Sequence, residues 1–239
     1  LIFSCPFSTH ERIRNMNTID WTQFEPKTIY DFVYASEEMR EKIEAIVNGN
    51  ISFPVAGVNG IILHGVWGTG KTTLAKILPD AIEKKFSSRE TYYRYESIQS
   101  GNNGANIMVS IDHQTDIIPY ASYHYIVLDE IDLLSSTAMS VLKSVMNKIN
   151  TIFIMTTNNL NAVDPGVIDR SILIDFNAAP AEAWLPKVRQ VLAAHNITVT
   201  NDQILLPIIQ AGKGSARKIM NGAAELAHKM LRPQSQNIP

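Results

Sequence analysis

The run Gly65-Val66-Trp67-Gly68-Thr69-Gly70-Lys71-Thr72 places two glycines five apart and follows them at once with an amine and a hydroxyl. Glycines at those positions let the main chain curl with its N–H groups pointing inward. That shape wraps a chain of phosphates, and a helix opening directly behind it aims its positive end at the same anion. In such chemistry Lys71 reaches the outer phosphates and the Thr72 hydroxyl binds Mg2+. The candidate cofactor-binding residues are therefore Gly65, Val66, Trp67, Gly68, Thr69, Gly70, Lys71, Thr72 and the adjoining Thr73. The bland alternative is a tight glycine turn that holds nothing. The context argues against it, because Ile61-Ile62-Leu63 reads as a strand before the loop and Thr72 to Leu78 as a helix after it.

A second constellation is Tyr125-Ile126-Val127-Leu128-Asp129-Glu130, an apolar strand ending in two acids. Beside a phosphate site, Asp129 would hold the Mg2+ through water and Glu130 would polarise an attacking water as general base. Thr156-Thr157-Asn158-Asn159 closes a later apolar strand. Its polar side chains would lie beside Asp129 and Glu130 if the two strands are neighbours; otherwise the asparagines simply turn the chain.

These residues need a scaffold. Strand candidates at Ile61–Leu63, Thr91–Tyr95, Tyr125–Leu128, Thr151–Met155 and Ile172–Phe176 are short, and the central ones are apolar without alternation. Strands covered on both faces read that way, as in a parallel sheet. Helical patterns lie between and around them. Ser36 caps one that carries Met39, Ile43, Ile46 and Val47, Ser136 to Lys148 forms another, and Pro79 is expected to stop the helix begun at Thr72. After Phe176 three helical segments follow without a strand, at 181–195, 202–210 and 215–231. The expected architecture is an α/β domain with a five-stranded parallel sheet flanked by helices, then a small all-helical domain. The expected boundaries are an extension at 1–23, the α/β domain at 24–177, the helical domain at 178–231 and a frayed tail at 232–239.

Bulk composition fits an ordinary globular chain. Of 239 residues 45% are hydrophobic and 18% charged, with a net charge of −2, so a surface coated in basic residues is excluded. The single cysteine, Cys5, makes neither an internal disulfide nor a four-ligand zinc site, which points to a reducing, intracellular (cytoplasmic) compartment. No run reaches the roughly 18 apolar residues of a membrane span. The chain begins with Leu, and Met16 is an alternative start.

The order of these motifs, continued by Asp169-Arg170-Ser171 and Gly214-Ser215-Ala216-Arg217, resembles AAA+ ATPases. Within them it is most similar to the clamp-loader group, the small subunits of replication factor C and their phage relatives. The similarity runs from about Phe24 to Leu231. Phe24-Glu25-Pro26-Lys27-Thr28 with Ile29 to Val33 is similar to that group's Tyr-Arg-Pro-Lys-Thr opening, and Ser136 to Lys148 matches its helix after the Asp-Glu strand. The resemblance implies ATP and Mg2+ as cofactors and a phosphate-loop (Walker A, Walker B) ATPase acting in DNA replication, with the helical domain as its lid. It implies catalytic roles for Glu130, for Asn158 as sensor 1, for Arg217 as sensor 2, and for Arg170 as a finger reaching a neighbouring subunit's γ-phosphate in trans. Phe32, Val33 and Tyr34 would border the adenine. The implied partners are a homo- or hetero-oligomer, DNA and a sliding clamp, with no membrane; Lys143 and Lys148, or Lys84-Lys85, are candidate DNA contacts. Departures are Val66-Trp67 for Pro-Pro, Asp-Arg-Ser for Ser-Arg-Cys, Glu25 for arginine, and no zinc-binding cysteines. The chain also stops where the lid would end, before the group's helical collar, as a fragment or a differently assembled protein would. A replication initiator or helicase loader, and a Holliday-junction or remodelling motor, are the alternatives that share this core.

Overall fold

The computed structural model of the chain describes residues 22–99 and 104–231. The readings placed on Cys5, on Met16 and on the tail at 232–239 lie outside those residues. Contacts divide the chain into two compact units: residues 26–179 form one, and the second comprises 180–231 together with 22–25.

The first unit alternates strand and helix. Ser36 caps helix α1 (Glu37–Val47) by accepting from the Met39 N–H, and of the expected stripe Met39, Ile43 and Ile46 are buried and Val47 half-buried. Strand β1 (Gly60–His64) leads through the glycine loop into α2 (Lys71–Glu83). There follow β2 (Tyr93–Ser97), α3 (Ala105–Gln114), β3 (His124–Asp129), α4 (Ser136–Val145), β4 (Thr151–Thr157), the short α5 (Pro165–Asp169) and β5 (Ser171–Asp175). All strand pairs are parallel, in the order β2-β3-β4-β1-β5.

The apolar strands behave as their composition requires. Alternate residues feed opposite faces: Ile61, Leu63, Val127 and Ile154 pack with α1 and α2, whereas Ile62, Leu128, Phe153 and Met155 pack with α3, α4 and Val167 of α5. Burying both faces removes the hydrophobic/polar alternation that a half-exposed strand would show.

Three local expectations are corrected. Pro79 does not stop α2, which runs on to Glu83. The ring costs one helix hydrogen bond, but Leu78, Pro79, Ile82 and Glu83 are all buried, so core packing carries the helix past it. The second strand begins at Tyr93 rather than Thr91, and α4 ends at Val145, short of Lys148. Helix α3, starting just after Gly104 in the left-handed conformation, was not singled out by its sequence.

In the second unit, a turn at Ala181–Trp184 precedes α6 (Leu185–Ala194), α7 (Asp202–Ala211) and α8 (Ala216–Leu231). Their core is Trp184, Val188, Leu192, Leu205, Ile209, Ile219 and Ala223, all buried. Phe24 belongs here because its ring meets His195 edge-on at 6.2 Å. No helix among the described residues is long and apolar enough to cross a membrane.

Candidate functional site

The first and fourth strands in the chain lie side by side, yet their connections leave in opposite directions, toward β2 and toward β5. In a parallel sheet that reversal opens a crevice beyond the carboxyl ends of the strands, which is where ligands settle. The glycine loop rises from the end of β1 into this crevice. Gly65, Gly68 and Gly70 all have positive φ. A methyl group on Gly65 would stand 2.7 Å from the Phe176 carbonyl oxygen. Thr69 is buried and donates from Oγ1 to the Val66 carbonyl at 3.3 Å, bracing the turn, while Val66 and Trp67 are exposed.

Gly70 is the N-cap of α2, and the first intrahelical bond joins the Leu74 N–H to the Gly70 carbonyl. The N–H groups of Lys71, Thr72 and Thr73 therefore have no acceptor within the helix and face the loop. The Lys71 ammonium is folded over the loop, 3.0 Å from the Gly65 and 2.6 Å from the Val66 carbonyl oxygen. Burial pulls its pKa down, opposed by Asp129, Asp132 and Glu130. Two neutral carbonyls hold the charge without cancelling it.

The paired acids meet this loop. Thr72 Oγ1 lies 2.8 Å and 3.1 Å from the two carboxylate oxygens of Asp129, across 57 residues of sequence. Asp129 also accepts from Thr156 Oγ1 at 2.5 Å and from the Tyr95 hydroxyl at 3.1 Å. Glu130 sits in the left-handed region, φ 62°, ψ 50°. For a residue with a Cβ that conformation costs about 1–3 kcal/mol and persists only where neighbours enforce it. Here the enforcer is Thr156, whose hydroxyl accepts the Glu130 N–H at 3.1 Å. One threonine thus orders both acids.

Pairing of β3 with β4 brings Asn158 to the same edge as Asp129 and Glu130. Its N–H donates to Asp132 Oδ1 at 3.4 Å, and Thr157 Oγ1 donates to the same oxygen at 2.8 Å. Tyr95 and Asp132 were not singled out from sequence, and Thr156 was named there only as part of the strand end Thr156–Asn159. Thr156 carried a signal: it and Thr157 are buried hydroxyls continuing an apolar strand, and buried polar groups need partners. Tyr95 carried none, since its role depends on strand register. Behind the loop, Phe32 and Tyr34 each meet Phe176 at 6.0 Å, and Phe32 also packs against Gly70.

Arg170 stands elsewhere. Its carbonyl accepts from the N–H of Gly60, at the start of β1, so roughly 16 Å of strand at about 3.3 Å per residue separates it from the phosphate loop of its own chain. Its guanidinium rests on Asn147 Oδ1 at 3.2 Å and the Gly166 carbonyl at 2.9 Å. Arg217 is exposed in the first turn of α8, in the second unit. Three of the four lysines considered for DNA are engaged: Lys143 pairs with Asp164, Lys148 with Asp112 and Asp116, and Lys85 donates to the Phe53 carbonyl, while Lys84 is exposed.

The donor set fits a phosphate-bound Mg2+. Among the described residues no group of three or more His, Cys, Asp or Glu side chains forms a cage for a metal. One hydroxyl and one carboxylate side by side are what Mg2+ takes when phosphate oxygens and water supply the rest.

Residues 61–176 match the model of the ATPase family associated with various cellular activities (AAA). The chain is 26% identical over 210 residues to Replication factor C small subunit 2 of Pyrobaculum islandicum, covering 86% of this chain and 63% of that protein. With the small subunit 2 of Pyrobaculum aerophilum it shares 25% over 227 residues, covering 93% and 68%. Among solved structures it is similar to the RuvB Holliday junction branch migration motor of Thermotoga maritima, with a TM-score of 0.61 at 15% identity, covering 85% of this chain and 64% of that one. The chain spans under two thirds of the length of the Pyrobaculum islandicum relative.

Proposed function

We propose that this chain, whose residues 61–176 match the AAA family model, binds Mg-ATP and hydrolyses it within a clamp-loader-like assembly on DNA. The observation that carries the reading is the 2.8 Å contact of Thr72 with Asp129, which joins the phosphate loop to the acid pair. The main-chain N–H groups from Gly65 to Thr73 would receive the phosphates, and Lys71 would leave its loop carbonyls for their outer oxygens. Thr72 and Asp129 would hold Mg2+, which when bound neutralises charge on the phosphates. Glu130, fixed by Thr156, would take the proton of the attacking water, with Asn158 orienting that water. Phe32 and Tyr34 give the base an apolar border. Arg217 is assigned the sensor role in its own subunit by resemblance alone.

Arg170 would act on a second copy. Its place at the opposite edge of the sheet from its own loop supports that reading, and its neutral partners leave its charge available. The replication factor C relatives favour clamp loading over branch migration, since 15% identity to the motor shows the fold alone. A clamp-type protein partner is supported by an apolar patch of Tyr92 (65% exposed), Ile117 (63%), Ile118 (92%) and Tyr120 (66%). These residues precede β2 and β3, at the end of the sheet away from the phosphate loop. Lys85, Lys143 and Lys148, being engaged, offer DNA little, so its contacts would come from Lys84 or other basic groups.

The test is a pair of substitutions. Lys71→Ala should remove ATP binding in a fluorescent-nucleotide titration, whereas Glu130→Gln should bind ATP and release no phosphate. Unimpaired hydrolysis by Glu130→Gln would overturn the assignment.

A further inference from the structure

Asp129 is buried, 8% exposed, and its carboxylate accepts three hydroxyls. Thr72 comes with the phosphate-loop motif and Thr156 from the neighbouring strand. The other is Tyr95, on the edge strand β2, whose hydroxyl donates to Oδ2 at 3.1 Å. Tyr95 pairs in register with Val127, so its side chain leaves the same face as Asp129 and reaches along the strand to it. The ring is itself held. Lys76 Nζ lies 3.9 Å above its centroid. Lys76 follows Thr72 by four residues on one face of α2, so a single helix steers both the carboxylate and the phenol that braces it. With Tyr95 on Oδ2 and Thr156 on Oδ1, the carboxylate is held at both oxygens in the orientation that keeps each within reach of Thr72. Groups that orient a metal ligand in this way set affinity nearly as strongly as the ligands do.

We propose that Tyr95 is a positioning residue for the metal carboxylate and sets the affinity of the nucleotide complex for its divalent cation. The inference rests on the reading of Asp129 as a metal-holding group, and the experiment separates the two. Tyr95→Phe keeps the ring, its packing and the Lys76 contact and removes only the hydroxyl. Mn2+ is titrated by electron paramagnetic resonance into wild type and variant, each saturated with a non-hydrolysable ATP analogue, and melting temperatures are recorded alongside. The expected result is about tenfold weaker Mn2+ binding in the variant. A loss smaller than threefold overturns the proposal, even if the melting temperature falls, because a packing role would lower stability and leave the folded protein's metal affinity alone. If wild type with the analogue takes up no Mn2+, the underlying site reading fails instead.

Discussion

Gly65 shows how one hydrogen atom in place of a side chain sets up the site. Its φ of 142° is open to glycine, and the Phe176 carbonyl oxygen occupies the space a methyl group would need. Gly65→Ala must therefore push the loop away from the end of β5. The expected cost is about 1–3 kcal/mol of stability, with nucleotide affinity lowered at least tenfold, read by urea denaturation and nucleotide titration. An alanine variant that binds nucleotide as wild type does would refute this account of the loop. The proposed phosphate grip could be read from spacing, because Gly65, Gly70, Lys71 and Thr72 lie in one contiguous stretch of backbone. Asp129 and Glu130 stood out only beside the glycine loop, since an acid ending a buried strand often does no more than cap the next turn. Thr156 was legible only on the condition that its strand neighbours the acid-ended one, and Tyr95 was not legible at all, since register is not written in a single strand.

Elements are held by packing that a sequence hints at and by polar links that it hides. Helix α2 ends in Glu83, 1% exposed, which accepts from Ser87 Oγ, from Ser122 N–H and Oγ, and from the Tyr125 hydroxyl, at 2.5 to 3.0 Å. Burial pushes this carboxyl upward, but the hydrogen bonds of Ser87, Ser122 and Tyr125 together outweigh it and hold the group below its ordinary value. The same carboxylate and burial push the Tyr125 phenol well up. A carboxyl depressed in the folded state adds stability above its unfolded pKa of about 4.3, and that contribution is lost as pH falls through the folded value. Wild type should therefore lose stability below about pH 4.3 more steeply than Glu83→Gln, and at pH 7 the substitution should cost about 1–3 kcal/mol. Urea melts across that range decide it; parallel slopes would contradict the linkage. This anchor also explains why Pro79 misleads. Proline reports a local backbone penalty, whereas the length of α2 is set by what its last turn buries, namely Ile82 and Glu83.

For the whole molecule the decisive feature is the distance between Arg170 and its own loop. Mixing Arg170→Ala with Glu130→Gln chains should restore turnover that neither shows alone, because an intact loop in one meets an intact arginine from the other. Mixed oligomers that form and stay inactive would exclude the shared site. The five-stranded parallel sheet and the helical unit after it were foreseeable from apolar runs that lack alternation and from the change of pattern after Phe176. The place of Arg170 was not, because resemblance named its role while only the pairing of Gly60 with Ser171 fixes which end of the sheet it occupies. From that polarity follows an arithmetic of assembly. If Arg170 serves a neighbouring copy as proposed, each copy would have a giving end and a receiving end, and copies would join head to tail. An open arc always leaves one socket without its arginine, and a closed ring leaves none, so the gap itself would decide how many members of the arc can fire.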